Sequence, residues 1–190
     1  MGIEIRSTAL PSVFIVIPKR FEDHRGFFEE TWNARDLVEC GIDISFVQDN
    51  HSYSREQGTL RGLHYQAAPH AQDKLIRCTR GAIFDVAVDI QKGSPTYGQW
   101  IGVELSRDNG YQLLIPKGFL HGFVTLEPDT EVQYKCSDNY APQSDGSVLW
   151  SSLEIDWPLP DGVLPKLSTK DKDAISFDVF DSPFFWKQNV

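Results

Sequence analysis

Short strand-forming runs, broken at regular intervals by turn chemistry, recur along most of this chain. That rhythm narrows the fold more than any other feature. Val13-Phe14-Ile15-Val16-Ile17 is an apolar run ended by Pro18. Phe84, Val86, Val88 and Ile90 alternate with Asp85, Ala87 and Asp89, the period of two that marks a β-strand. Trp100–Leu105, Gln112–Ile115, Gly122–Leu126 and Glu131–Cys136 are further short strands. Gly81, Lys92-Gly93-Ser94-Pro95, Asp108-Asn109-Gly110, Pro116-Lys117-Gly118 and Glu127-Pro128-Asp129 separate them as turns. Such spacing predicts an antiparallel sandwich or barrel.

Helix is confined to the margins. Asn33 can cap a short helix through Ala34–Cys40, with Gly41 as its stop. From Trp150 the chain is rich in Pro and Asp, so it reads as extended, with one helical turn near Thr169–Ala174. No internal repeat or linker marks a second domain, and the 190 residues fit one all-β jelly roll spanning 1–190 with an open mouth. An edge strand from the first 50 residues could pair with a neighbouring subunit, so a dimer is expected.

Composition bounds the function. Hydrophobic residues make up 41% of the chain, enough for a sizeable core. No apolar run approaches the roughly 20 residues of a membrane span, and the N-terminus lacks the layout of a signal peptide, so a cytosolic protein is expected. The net charge is −9 and the Lys and Arg residues are scattered, which argues against a nucleic-acid partner. An anionic small ligand would need local cations, for which Arg25, Arg61, Lys74 and Lys170 are candidates. Three cysteines, Cys40, Cys78 and Cys136, without a Cys-x-x-Cys pair, point to reduced buried thiols rather than disulfides or structural zinc.

Several titratable side chains sit in or beside the strands. Gly62 permits a bulge that would let Arg61 and His64 serve one pocket, although plain alternation would send them to opposite faces. His121 follows a turn and precedes an apolar strand. Tyr134 shares a strand face with Cys136, and Lys74 shares one with Ile76 and Cys78. Asp171 lies in a charged segment that could fold back to orient an imidazole. Each also has a plain structural reading: a hydrogen-bonded rim histidine, an anchored tyrosine, a snorkelling lysine or a surface carboxylate. Gln66 stands where a His-x-His metal pair would need its second imidazole, so no metal is expected. One imidazole, one ammonium and one phenol among apolar neighbours is the equipment of carbanion chemistry beside a carbonyl.

The chain resembles the dTDP-4-dehydrorhamnose 3,5-epimerase family, the RmlC-type enzymes. The resemblance rests on Asp23-His24-Arg25-Gly26-Phe27-Phe28, Gln48-Asp49-Asn50-His51-Ser52, Leu60-Arg61-Gly62-Leu63-His64 and Phe84-Asp85-Val86-Ala87-Val88-Asp89. It continues in Gly93-Ser94-Pro95-Thr96, Gly118-Phe119-Leu120-His121-Gly122-Phe123, Tyr134-Lys135-Cys136, Ile155-Asp156-Trp157-Pro158 and Leu167-Ser168-Thr169-Lys170-Asp171. It implies a metal-free cupin jelly roll, or double-stranded β-helix, dimeric through swapped N-terminal strands. The implied substrate is the nucleotide sugar dTDP-4-dehydro-6-deoxy-D-glucose, and no cofactor is required.

By position, His64 matches the base, Asp171 its partner, Tyr134 the proton donor and Lys74 the cation beside the enolate. Arg25, Glu30, Gln48, Asp49, Asn50, Arg61, His121, Tyr140 and Lys170 match substrate-binding positions. Asp145 matches a further substrate-binding position with Asp in place of the usual Glu, and Leu120 replaces a usual Ala, which is expected to narrow the region beside His121. A mono-epimerase acting at C3 or C5 alone would carry the same base and acid. A non-catalytic sugar-nucleotide-binding jelly roll would not need His64, Asp171 and Tyr134 together.

Overall fold

The computed structural model describes residues 2–159 and 162–187. The first half of the chain runs β1 (Ile3–Ser7), β2 (Phe14–Pro18), β3 (Arg20–Asp23), β4 (Gly26–Glu29), α1 (Ala34–Glu39), β5 (Gln48–Ser54), β6 (Leu60–Gln66), β7 (Lys74–Arg80) and β8 (Ala82–Asp89). The second runs β9 (Gln91–Lys92), β10 (Trp100–Ser106), β11 (Gln112–Ile115), β12 (Phe119–Thr125), β13 (Thr130–Cys136), β14 (Asp145–Ser147), α2 (Thr169–Lys172) and β15 (Phe184–Phe185).

Two antiparallel sheets form a jelly roll. One has six strands in the order β1-β2-β11-β7-β13-β5, the other five in the order β10-β8-β12-β6-β14. Both edges of the larger sheet, β1 and β5, come from the N-terminal part of the chain. β12 begins at Phe119 rather than Gly122, because the Pro116-Lys117-Gly118 turn ends sooner. The α1 cap is as the sequence predicts, since Asn33 accepts from the Arg35 backbone N–H and Gly41 follows at φ +83°.

Three apolar clusters organise the molecule. Between the sheets lie Ile76, Cys78, Ile83, Ala87, Leu113, Ile115, Phe119, Phe123 and Val132. Behind the larger sheet, Leu37 of α1 and Ile42 cover Val16, Leu75 and Leu114. Behind the smaller sheet, the C-terminal segment lays Ile155 and Phe180 over Leu63, Val86, Val88 and Leu120. Leu120 therefore does not narrow the region beside His121. One residue along a strand changes the face, and Leu120 is fully buried on the outer one.

The smaller sheet bends at Gly62. β6 and β12 pair His64 with His121 but Arg61 with Phe123, a one-residue bulge on β6. Gly62 has φ +131°, and a Cβ there would lie 2.6 Å from the Gly122 Cα, so only glycine permits this approach.

Candidate active site

The bulge turns one end of β6 into the mouth of the jelly roll. A cavity of about 310 Å³ opens there, lined by residues of β5, β6, β7, β13, β14 and α2, with His64, Lys74, Tyr134 and Tyr140 among them.

His64 is fixed from outside the cavity. Its Nε2 lies 2.6 Å from Asp171 Oδ1, and Asp171 is only 3% exposed. The Ser168 hydroxyl donates to the other carboxylate oxygen at 2.8 Å and accepts from the Asp171 backbone N–H at 3.1 Å. Burial alone would raise the Asp171 carboxyl. The hydrogen bond and positive charge of His64 and the bond from Ser168 outweigh it and hold that carboxyl below its usual value. With Nε2–H donated to Asp171, Nδ1 is the nitrogen left to take a proton.

Lys74 and Tyr134 enter from the opposite sheet. Burial pushes the Lys74 ammonium down, while Cys136, Asp145 and Asp85 oppose that shift. Burial pushes the Tyr134 phenol up, helped by Cys136 and opposed by the Arg61 charge. The phenol therefore holds its proton at neutral pH, as a donor must. Neither polar tip has a hydrogen-bond or ion-pair partner among the described residues, so both are available to a ligand.

Below them, deeper between the sheets, His121 Nε2 lies 2.7 Å from Asp85 Oδ1. Burial pushes the imidazole down and the carboxyl up, so both are driven towards their neutral forms. Asp85 Oδ2 is buried with no partner among the described residues. Asp85 was not marked by sequence reasoning as a site residue. Its signal was an acidic residue in the same register as Ala87 on a strand whose other face is Val86 and Val88.

The family model described as dTDP-4-dehydrorhamnose 3,5-epimerase matches residues 7–178. A curated dTDP-4-dehydrorhamnose 3,5-epimerase of Salmonella typhimurium is 52% identical over 90% of this chain and 93% of its own. The chain belongs to the dTDP-4-dehydrorhamnose 3,5-epimerase family. A Bacillus anthracis member solved with TDP and PPi bound is 48% identical, with a TM-score of 0.88 over 92% of this chain and 99% of its own. A Legionella pneumophila member solved with dTDP-4-keto-L-rhamnose is 44% identical, with a TM-score of 0.91 over 97% of this chain and 100% of its own.

Within this member of the epimerase family, most of the residues that sequence reasoning marked converge on the mouth. Gln48 accepts from the Tyr140 backbone N–H at 2.8 Å and donates to Asn50 at 3.1 Å, which orders the β5 side of the cavity. Gln66 spends its amide on the backbone of Asn139 and Ala141, steadying the loop that carries Tyr140. Arg61 stands at the margin, donating to Ser54 Oγ and the Tyr53 carbonyl. Asp145 and Lys170 form an ion pair across the entrance.

Three marked residues lie elsewhere in the protomer. Asp49 is on the outer face, paired with Lys135 at 3.0 Å, because Gln48 and Asn50 take the inward register of β5. Arg25 sits at the tip of the β3–β4 hairpin, 79% exposed and paired with Asp23. Glu30 accepts from Asn33 beside α1.

Proposed function

We propose that this chain epimerises C3 and C5 of dTDP-4-dehydro-6-deoxy-D-glucose, in the supply of dTDP-L-rhamnose. The observation that carries this reading is the His64–Asp171 pair opening onto the same cavity as the Lys74 ammonium and the Tyr134 phenol. The C4 ketone acidifies the hydrogens on both neighbouring carbons. His64 Nδ1 takes one of them, and the C–H electron pair moves into an enolate whose charge falls on the C4 oxygen. Lys74 stabilises that charge, worth most in a site shielded from water. Tyr134 donates a proton to the other face of the carbon, which inverts it. Solvent then restores Tyr134 and relieves His64, so protons balance and no redox partner enters. Asp171 stays charged and supports the imidazolium.

The remaining assignments belong to the same reading. Arg61 and Lys170 serve the diphosphate, Gln48, Asn50 and Tyr140 the nucleoside, and His121 the sugar. The active unit is a homodimer in which Arg25 and Glu30 of one copy complete the site of the other. This is supported by their remoteness within one protomer and by the exposed Phe21, Phe27 and Phe28 on the β3–β4 hairpin. The free sheet edges β1 and β5 support it too. We assign the enzyme to the cytosol. Among the described residues no helix is long and apolar enough to cross a membrane.

The test is incubation with dTDP-4-dehydro-6-deoxy-D-glucose in heavy water. Deuterium at both C3 and C5 is expected. Deuterium at one carbon would make the chain a mono-epimerase, and none at either would overturn the reading.

A further inference from the structure

One carboxylate oxygen at the cavity mouth does two jobs. Asp145 Oδ2 accepts from the Lys170 ammonium and, at 3.2 Å, from the Tyr140 hydroxyl. Lys170 and Tyr140 come from different parts of the chain. Lys170 rides on α2, the turn that also carries Asp171. Tyr140 rides on the loop held by Gln48 and Gln66. Asp145 itself is fixed on β14, paired with Gln66 of β6. Its neighbour Gly146 lies so close to the Tyr65 ring that a Cβ would come within 2.3 Å, which leaves β14 little room to shift.

We infer that Asp145 is a competing counter-ion rather than a substrate contact: it clasps Lys170 and Tyr140 across the mouth and must yield Lys170 when the nucleoside diphosphate binds. The inference rests on the proposed function, which assigns those two residues to the nucleotide. The charge argument is simple. A diphosphate and the Asp145 carboxylate want the same ammonium, and they repel each other once both are near it. The clasp therefore taxes nucleotide binding, because part of each phosphate contact only replaces a contact already present. It also ties together two side chains from separate parts of the chain. The Lys170 side chain is 48% exposed, so the tax is that of a partly solvated ion pair.

Two substitutions at the two ends of this ion pair separate the clasp from a merely structural bond. If the pair only braces the mouth, Asp145→Asn and Lys170→Met break the same bond and act alike. The clasp predicts opposite signs. Calorimetric titration with dTDP and with inorganic pyrophosphate is expected to show about threefold to fivefold tighter binding for Asp145→Asn, and weaker binding for Lys170→Met. Asp145→Ser, which also removes the charge, is expected to match Asp145→Asn and covers the case of a misfolded first variant. Equal or weaker pyrophosphate binding in folded charge-removing variants would overturn the clasp and make Asp145 a ligand contact or a brace. Failure of the wild-type chain to bind dTDP at all would instead overturn the function reading.

Discussion

Asp171→Asn tests the central dyad without disturbing its shape. The wild-type carboxylate is buried, accepts from His64 at 2.6 Å and from Ser168 at 2.8 Å, and is held below its usual value. It is therefore charged at neutral pH, and in the proposed mechanism that charge supports the imidazolium formed when His64 takes the substrate proton. An asparagine that keeps its oxygen on His64 must turn its NH₂ towards Ser168, whose hydroxyl can rotate to accept it. The pair then survives as a neutral hydrogen bond, and losing the charge assistance alone costs about 1.5 kcal/mol, roughly tenfold in rate. If the amide flips instead, its NH₂ faces Nε2, and the ring proton moves to Nδ1, where the base must be empty. The full benefit of general-base catalysis, about 10² to 10⁴, is then lost.

We expect kcat to fall by about tenfold if the amide keeps its oxygen on His64 and by about 10² or more if it flips, with KM changed far less because Asp171 does not line the cavity. Single-turnover deuterium incorporation from heavy water measures the step directly. A kcat within about threefold of wild type would refute the dyad. The same substitution has a stability signature. A carboxyl whose folded pKa is depressed contributes stability above its unfolded value, about 3.9, and loses it as pH falls through the folded value. The stability gap between wild type and Asp171→Asn should therefore close on acidification below about pH 4, as read from urea midpoints.

Tyr134→Phe should lower turnover by about 10² while leaving the melting temperature nearly unchanged, because the hydroxyl has no protein partner among the described residues to lose. A large drop in melting temperature would mean the phenol is structural. Lys74→Met should abolish turnover without destabilising the fold, since the half-buried ammonium has no protein partner among the described residues to lose. A destabilised variant would show that Lys74 is paired in solution. Gly62→Ala should destabilise by about 2 kcal/mol or more, because its Cβ would press on the Gly122 Cα in a backbone conformation reserved for glycine. An unshifted thermal midpoint would contradict the close approach of β6 and β12.

Most of the sheet was legible because alternation and turn chemistry act locally. Tyr134 and Cys136 do share a face of β13, and Gly62 does mark the bulge in β6, but Arg61 ends at the margin, outside the cavity that His64 lines. What local rules could not supply was the cover. On β8, alternation of Val86 and Val88 with Asp85 and Ala87 suggests one wet face. The C-terminal segment buries the apolar face from outside, and the acidic face becomes the interior beside His121. Leu120 was misplaced for the same reason. Asp49 was a different miss, since period two along β5 already separates it from Gln48 and Asn50. Family resemblance marked the whole run, and the register of the strand sorts it.

The chain segment around α2 is hung between two bridges, Thr59 to Lys166 and Val148 to Ile175. It brings in Asp171 after every large strand of the jelly roll has been made, and Phe180 arrives later still to cover the outer face. A nascent chain lacking this stretch would own its acid, its ammonium and its base, but the base would be unaimed. On the proposed mechanism the last stretch of the chain therefore supplies the group that aims the base, since Asp171 reaches His64 only once this segment has packed back onto β6.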